Sequence, residues 1–235
     1  MENILYQHGT LGALMAGLMD GNLTMNDLLE NGDFGIGTLH GLDGEVVVLN
    51  GRAYQARSTG EFVELNGSEL TPYAAVTNFR ANRYFFVDTP ESSDKLKKNI
   101  FNHLLSPNLF AAIKISGVFD KMHVRVMPKQ FPPYQKLVDV AKVQPEFTRN
   151  HVKGTIVGFF TPTLFQGTAA AGFHLHFIDE TETFGGHILD FDLSHGLVEI
   201  SDIETLTQHF PITDATFRDQ TIDYSNVASE IEEAE

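Results

Sequence analysis

The chain contains no cysteine. Disulfides and thiolate metal sites are therefore excluded, and the composition fits a reducing interior, so a cytoplasmic location is expected. Basic residues are also scarce: 16 Lys and Arg stand against 31 Asp and Glu, a formal charge of −15. Such a field repels phosphate backbones and removes nucleic acid from the expected partners. It does not remove an anionic small substrate, because an arginine or a metal ion can reverse the potential inside one pocket. Long apolar runs are missing too. No window reaches the ~18 uninterrupted apolar residues of a membrane span, so no membrane partner is expected. The opening residues, MENILYQHGTLGALMAGLMDGN, lack the basic segment and apolar stretch of a secretory signal.

What the chain does have is apolar mass: 42% hydrophobic residues and 19 phenylalanines in a length of 235. That length suits one large domain or two small ones. Leu11, Leu14, Met15, Leu18 and Met19 recur at helical spacing and stop at Asp20-Gly21. Thr24, with Asp27 three residues on, is a weak capping box for a short helix that Gly32 closes. From Phe34 the pattern turns extended: GIGTLH, EVVVLN and RAYQAR are punctuated by Asp43-Gly44 and Asn50-Gly51, both hairpin-turn dipeptides. A helix is expected from Pro90 to Leu105, with Glu91 and Lys95 paired and Leu96, Ile100 and Leu104 on one face. AAIKISGVF and MHVRVMP read as a second hairpin turned at Asp120-Lys121. Beyond Phe131-Pro132-Pro133 come a short helix through Leu137 and Val140, the run TIVGFF, a histidine-bearing hairpin and a last strand, LVEI. Strict βαβ alternation is absent. The expected class is α+β, two β-rich halves with mixed or antiparallel sheets and a few short helices. The Pro-rich connection suggests a division into residues 1–130, carrying Glu45 and Arg125, and residues 131–235, carrying the histidine hairpin and an acidic tail.

The chemistry concentrates in GFHLHFIDETETFGGHILDF. On a strand, His174 and His176 point to the same face with Cα atoms ~7 Å apart, close enough to converge on one ion. Asp179, Glu180, Gly185 and Gly186 read as a turn, after which a returning strand brings His187 alongside. Three imidazoles with open positions describe a catalytic metal site, whereas a structural zinc is normally closed by four ligands. A bare HxH pair also occurs on ordinary solvent faces; the third histidine after Gly-Gly is what favours the metal. Arg125 alternates with Val124 and Val126. It reads either as a solvated sheet position or as a planar guanidinium that takes a carboxylate in two-point fashion. Glu45 follows a turn, where it is a surface carboxylate or a general acid that partial burial keeps protonated. Glu230, Glu232, Glu233 and Glu235 look like a solvated tail, and His40 echoes the HxH hairpin from an earlier TLH run.

Several longer blocks resemble the bacterial α-acetolactate decarboxylases: LYQHGTLGALMAGLMDG, DFGIGTLHGLDGEVVVLNGRAYQ, VRVMPKQFPPY, VKGTIVGFFTP and GFHLHFIDE…GGH, in that order along essentially the whole chain. The resemblance implies zinc held by His174, His176 and His187. It also implies Glu45 and Arg125 lining the pocket, Thr38 as a substrate-contacting wall residue, and a C-terminal glutamate, Glu235 or else Glu232, reaching the site. A homodimer and a two-part α/β architecture are implied as well. The activity implied is that of a carboxy-lyase: zinc-dependent conversion of 2-hydroxy-2-methyl-3-oxobutanoate (acetolactate) to acetoin and CO2, in acetoin and butanediol biosynthesis. Two other readings stand beside it. A cupin-like oxygenase would use iron on the same histidines, with Glu180, four residues beyond His176, as a carboxylate ligand. A small DNA-binding domain with a similar HLH…GGH strand would need neither the LDGE nor the RxxPKQ block, and the charge of −15 opposes it.

Overall fold

A computed structural model describes residues 3–222, 225–226 and 230–231. The first third of the chain runs β1 (Ile4–His8), α1 (Leu11–Met15), β2 (Leu23–Thr24), α2 (Met25–Leu29), β3 (Phe34–Thr38), β4 (Glu45–Leu49), β5 (Arg52–Ala56), β6 (Phe62–Glu64), β7 (Leu70–Thr71) and β8 (Tyr73–Thr77). It continues with β9 (Arg83–Val87), β10 (Glu91–Ser92), α3 (Ser93–His103), β11 (Ala111–Arg125), α4 (Leu137–Ala141) and β12 (Glu146–Thr161). β13 (Gly172–Asp179), β14 (Gly185–Asp202), β15 (Thr205–His209) and α5 (Ala215–Asp219) complete it. One sheet has the order β15-β1-β8-β3-β4-β5-β6; the other runs β10-β14-β11-β12-β13, with β9 also on β14. All pairings are antiparallel except β1 with β15, which are parallel. The α+β class with mixed and antiparallel sheets is what the sequence pattern leads one to expect.

Local chemistry accounts for the smaller elements. Thr10 and Thr24 cap α1 and α2 by accepting from the backbone N–H groups of Ala13 and Asp27 at 3.2 and 3.1 Å. Asn50 and Gly51 both take positive φ, 54° and 76°, as a two-residue hairpin requires, and Leu49 faces Arg52 across it. The expected hairpin at Asp120-Lys121 does not form. β11 passes straight through these residues, with Lys121 opposite both Asn150 and Asp192 and its ammonium 3.0 Å from Asp190. The dipeptide lacks a glycine, and the chain absorbs it instead as register shifts against β14 between Val118 and Lys121. LVEI is likewise the far end of β14, an 18-residue strand, rather than a strand of its own. The division expected near residue 130 falls between β11 and β12, which are hydrogen-bonded neighbours in the second sheet.

Alternation decides where the core lies. Ile36 and Val47 of the first sheet pack with Ala112, Val157 and Ile178 of the second, so the two sheets meet face to face. The far face of the first sheet is covered by Met25 and Leu28 of α2, and that of the second by Leu96 and Ile100 of α3. On β13, Leu175 and Phe177 belong to the α3 side, while Ile178 belongs to the layer between the sheets. His174 and His176 share the face of Ile178 by the two-residue repeat, which turns both imidazoles toward the first sheet.

Candidate active site

His176 and His187 face each other across β13 and β14, and Arg125 faces His187 across β11 and β14. Two glycines permit this approach. A Cβ at Gly185 would lie 2.2 Å from the Phe177 carbonyl oxygen, and one at Gly186, whose φ is 150°, would lie 2.8 Å from that of Arg125. The three imidazole rings then stand 4.9–5.4 Å apart, centroid to centroid.

Their ligand atoms lie within 4.8 Å of one another. Two ligands with bonds of about 2.1 Å to one tetrahedral ion stand about 3.4 Å apart, so the three atoms can converge on an ion through small side-chain shifts. One histidine is already set for this. His176 Nδ1–H donates to the Val46 carbonyl at 2.9 Å, which leaves the lone pair on Nε2, and that buried atom has no hydrogen-bond partner. Burial, and after it the positive charge of Arg125, pushes the pKa of His174 down to about 3. Burial also holds His176 and His187 well below the ordinary histidine value, with His174 and Arg125 adding to it. All three are neutral at pH 7, the state a metal ligand needs. The donor set therefore fits a metal ion.

Glu45 approaches from the other sheet. It is 6% exposed, its Oε1 accepts from the backbone N–H of Met127 at 3.2 Å, and its Oε2 lies 3.5 Å from His176 Nε2. Arg125, 4% exposed, has its Nη2 3.1 Å from His187 Nε2. Thr38 lines the same space, with its hydroxyl donating to the Gly44 carbonyl at 2.7 Å. These six side chains surround a cavity of about 40 Å³, walled on its other side by Leu11, Leu14, Leu42, Tyr73, Met127 and Leu137. A carboxylate would meet a guanidinium there, and alkyl groups would meet leucines.

The sequence profile described as alpha-acetolactate decarboxylase matches residues 5–224. The chain belongs to the alpha-acetolactate decarboxylase family. Alpha-acetolactate decarboxylase of Lactococcus lactis subsp. cremoris is 46% identical over 231 residues, 98% of each chain. A Staphylococcus aureus protein described as similar to alpha-acetolactate decarboxylase superposes with a TM-score of 0.97 at 53% identity, covering 99% of this chain and 100% of that one. Alpha-acetolactate decarboxylase of Bacillus subtilis gives 0.96 at 36% identity over 99% of both. Membership in this carboxy-lyase family displaces the two competing readings. Glu180, the carboxylate that a cupin-like site would need, is exposed and paired with Lys153 at 2.5 Å.

The decarboxylase-family blocks also touch one another. Gln130 N–H donates to the Gly41 carbonyl at 2.6 Å, Lys129 pairs with Asp43 at 3.0 Å, and Gly44 N–H reaches the Met127 carbonyl at 3.2 Å. RxxPKQ and LDGE are thus two sides of one seam, which explains why both accompany the histidines. Glu235 and Glu232 lie outside the described residues. Their neighbour Ile231 is buried in the apolar cluster that contains Leu11, Leu14 and Leu42, and Glu230 pairs with Lys136 at 2.9 Å. His40 is exposed and bonded to the Gly21 N–H at 3.0 Å, so the echo of the HxH hairpin has no counterpart at the site. Sequence reasoning missed the apolar wall; the helical stripe of Leu11 and Leu14 was its visible trace.

Proposed function

We propose that the chain decarboxylates acetolactate to acetoin and CO2, with zinc as the bound ion. The observation that carries this reading is the meeting of three neutral imidazoles, the Arg125 guanidinium and the Glu45 carboxyl in one cavity. The substrate holds a carboxylate on the carbon next to a ketone. Its C–C bond breaks when the electron pair can flow into that carbonyl. Three neutral nitrogen donors with an open position suit zinc, which when bound supplies Lewis-acid stabilisation of negative charge on the ketone oxygen.

The other tasks fall to the chain's own residues. Arg125 offers a planar pair of N–H donors to the substrate carboxylate, a charged acceptor stronger than the imidazole it now touches. Holding that carboxylate fixes the scissile bond relative to the carbonyl plane, the geometry on which orbital overlap depends. The leucine wall and Met127 exclude water, which favours loss of a carboxylate as neutral CO2. Glu45 delivers a proton from the opposite sheet to the carbon that CO2 has left. Delivery from one side yields one enantiomer of acetoin. Thr38 serves as substrate-contacting wall, and Glu235, or Glu232 in its place, supplies a second carboxylate from the tail. We place the enzyme in the cytoplasm as a homodimer working in acetoin and butanediol biosynthesis. The absence of cysteine and the family resemblance support this assignment.

The test is release of CO2 and acetoin from racemic acetolactate before chelation, after it, and after zinc is returned. Activity should vanish and recover. Fully metallated protein that releases neither product would sink the reading.

A further inference from the structure

We propose that Gln55 is a positioning residue for Glu45: its side-chain amide holds the turn that aims the Glu45 carboxyl at the histidine cluster. The inference rests on the functional reading above, in which Glu45 carries the proton. The turn before Glu45 is not one the backbone adopts freely. Leu42, a branched residue, stands at a φ of 55°, and Gly44 at 79° is pressed so closely on β5 that a Cβ would lie 2.0 Å from the Ala56 carbonyl oxygen. Two successive carbonyls of this turn take hydrogen bonds from buried side chains. Gln55 Nε2 donates to the Asp43 carbonyl at 2.6 Å, and Thr38 Oγ1 donates to that of Gly44 at 2.7 Å.

Gln55 is 2% exposed and fixed at its other end as well, where Oε1 accepts from Arg57 Nε at 3.0 Å. Arg57 in turn reaches Glu61 at 3.2 Å. The amide therefore has one orientation, with its donor toward the turn. Gln55 also faces Val46 across β4 and β5, and the Val46 carbonyl holds His176. One strand pair thus carries the support of both the proton donor and a metal ligand. A core-filling glutamine would need only its volume; this one uses both ends of its amide.

The variants Gln55→Met, which keeps length without a donor, and Gln55→Glu, which replaces the donor with an acceptor, separate volume from hydrogen bonding. In the zinc-loaded enzyme both should lower kcat about tenfold or more, with KM within about threefold and zinc content unchanged. The Met127 amide, which donates to Glu45, should exchange with deuterium faster in both. In a Glu45→Gln background, Gln55→Met should cost less than about twofold more. Wild-type kcat in both variants overturns the proposal. Lost kcat with unchanged Met127 exchange, additive losses in the double variant, or failure of both variants to fold would leave Gln55 a structural part only and overturn it equally. If wild-type holoenzyme makes no acetoin, the functional reading fails, and Met127 exchange still decides whether Gln55 sets Glu45.

Discussion

His176 and Glu45 stand 3.5 Å apart although they belong to different sheets, and each is held by the other's neighbourhood: His176 by the Val46 carbonyl, Glu45 by the Met127 amide. Because the carboxylate is close to the histidines that could hold a metal ion, its role is open to a direct test. Glu45→Gln keeps size and hydrogen bonding but carries no transferable proton. It should retain one zinc per chain and lose turnover by about 10²–10⁴-fold, as measured by metal analysis beside steady-state kinetics. Loss of the metal would make Glu45 a ligand instead. Arg125→Lys should lower kcat/KM by at least about tenfold, because a point charge cannot reproduce the guanidinium fork. A variant as fast as the parent would remove Arg125 from carboxylate recognition. At this scale the site was legible where residue type alone carries chemistry. The three histidines stood out by their type and spacing, whereas Glu45 and Arg125 each kept a surface reading until the family resemblance gave them a place in the pocket. Gln55 and the leucines did not stand out, since amides and leucines serve everywhere and only tertiary contact gives them a task.

At the scale of elements, glycine placement decides whether the site forms. Gly185 lets β14 lie against β13 so tightly that a methyl group would stand 2.2 Å from the Phe177 carbonyl and 2.4 Å from the Phe62 ring. Gly185→Ala should therefore destabilise the fold by about 1–3 kcal/mol, the usual cost of overpacking, and weaken zinc binding by moving His187. Urea denaturation and zinc titration check both effects; parent-like values for both would show that the strands can part at no cost. Short turns were legible because their dipeptides demand positive φ, as at Asn50-Gly51. Asp120-Lys121 makes no such demand, and a 15-residue strand ran through it. β15 escaped notice for another reason. Thr205–His209 has little apolar signal of its own and is a strand only because β1 lies beside it.

At the scale of the molecule, His8 reports on how two strands distant in sequence, β1 and β15, are joined. It is fully buried, with Nε2 2.6 Å from Asn22 Oδ1 and Nδ1 2.8 Å from His209 Nδ1 at the end of β15. Burial lowers its pKa from 6.5 to about 4, against the opposing effect of the Asn22 hydrogen bond. Between those values the unfolded chain binds the extra proton and the folded one does not. Stability should therefore fall as pH drops from about 6.5 toward 4, with no such loss above 6.5. For zinc-loaded protein the urea midpoint should be lower at pH 5 than at pH 7, and His8→Gln should shrink the difference. Equal differences in both proteins would free His8 of this role.

The parallel pairing of β1 with β15 has a consequence for synthesis. Ile4 pairs with Thr205, 205 − 4 = 201 positions later. A ribosome adding about 5–20 residues per second leaves β1 without that partner for roughly 10–40 s. Through that interval the β15-facing edge of β1 offers bare N–H and C=O groups to any extended segment nearby. A nascent-chain chaperone would find a persistent target there, on the strand edge that waits for β15.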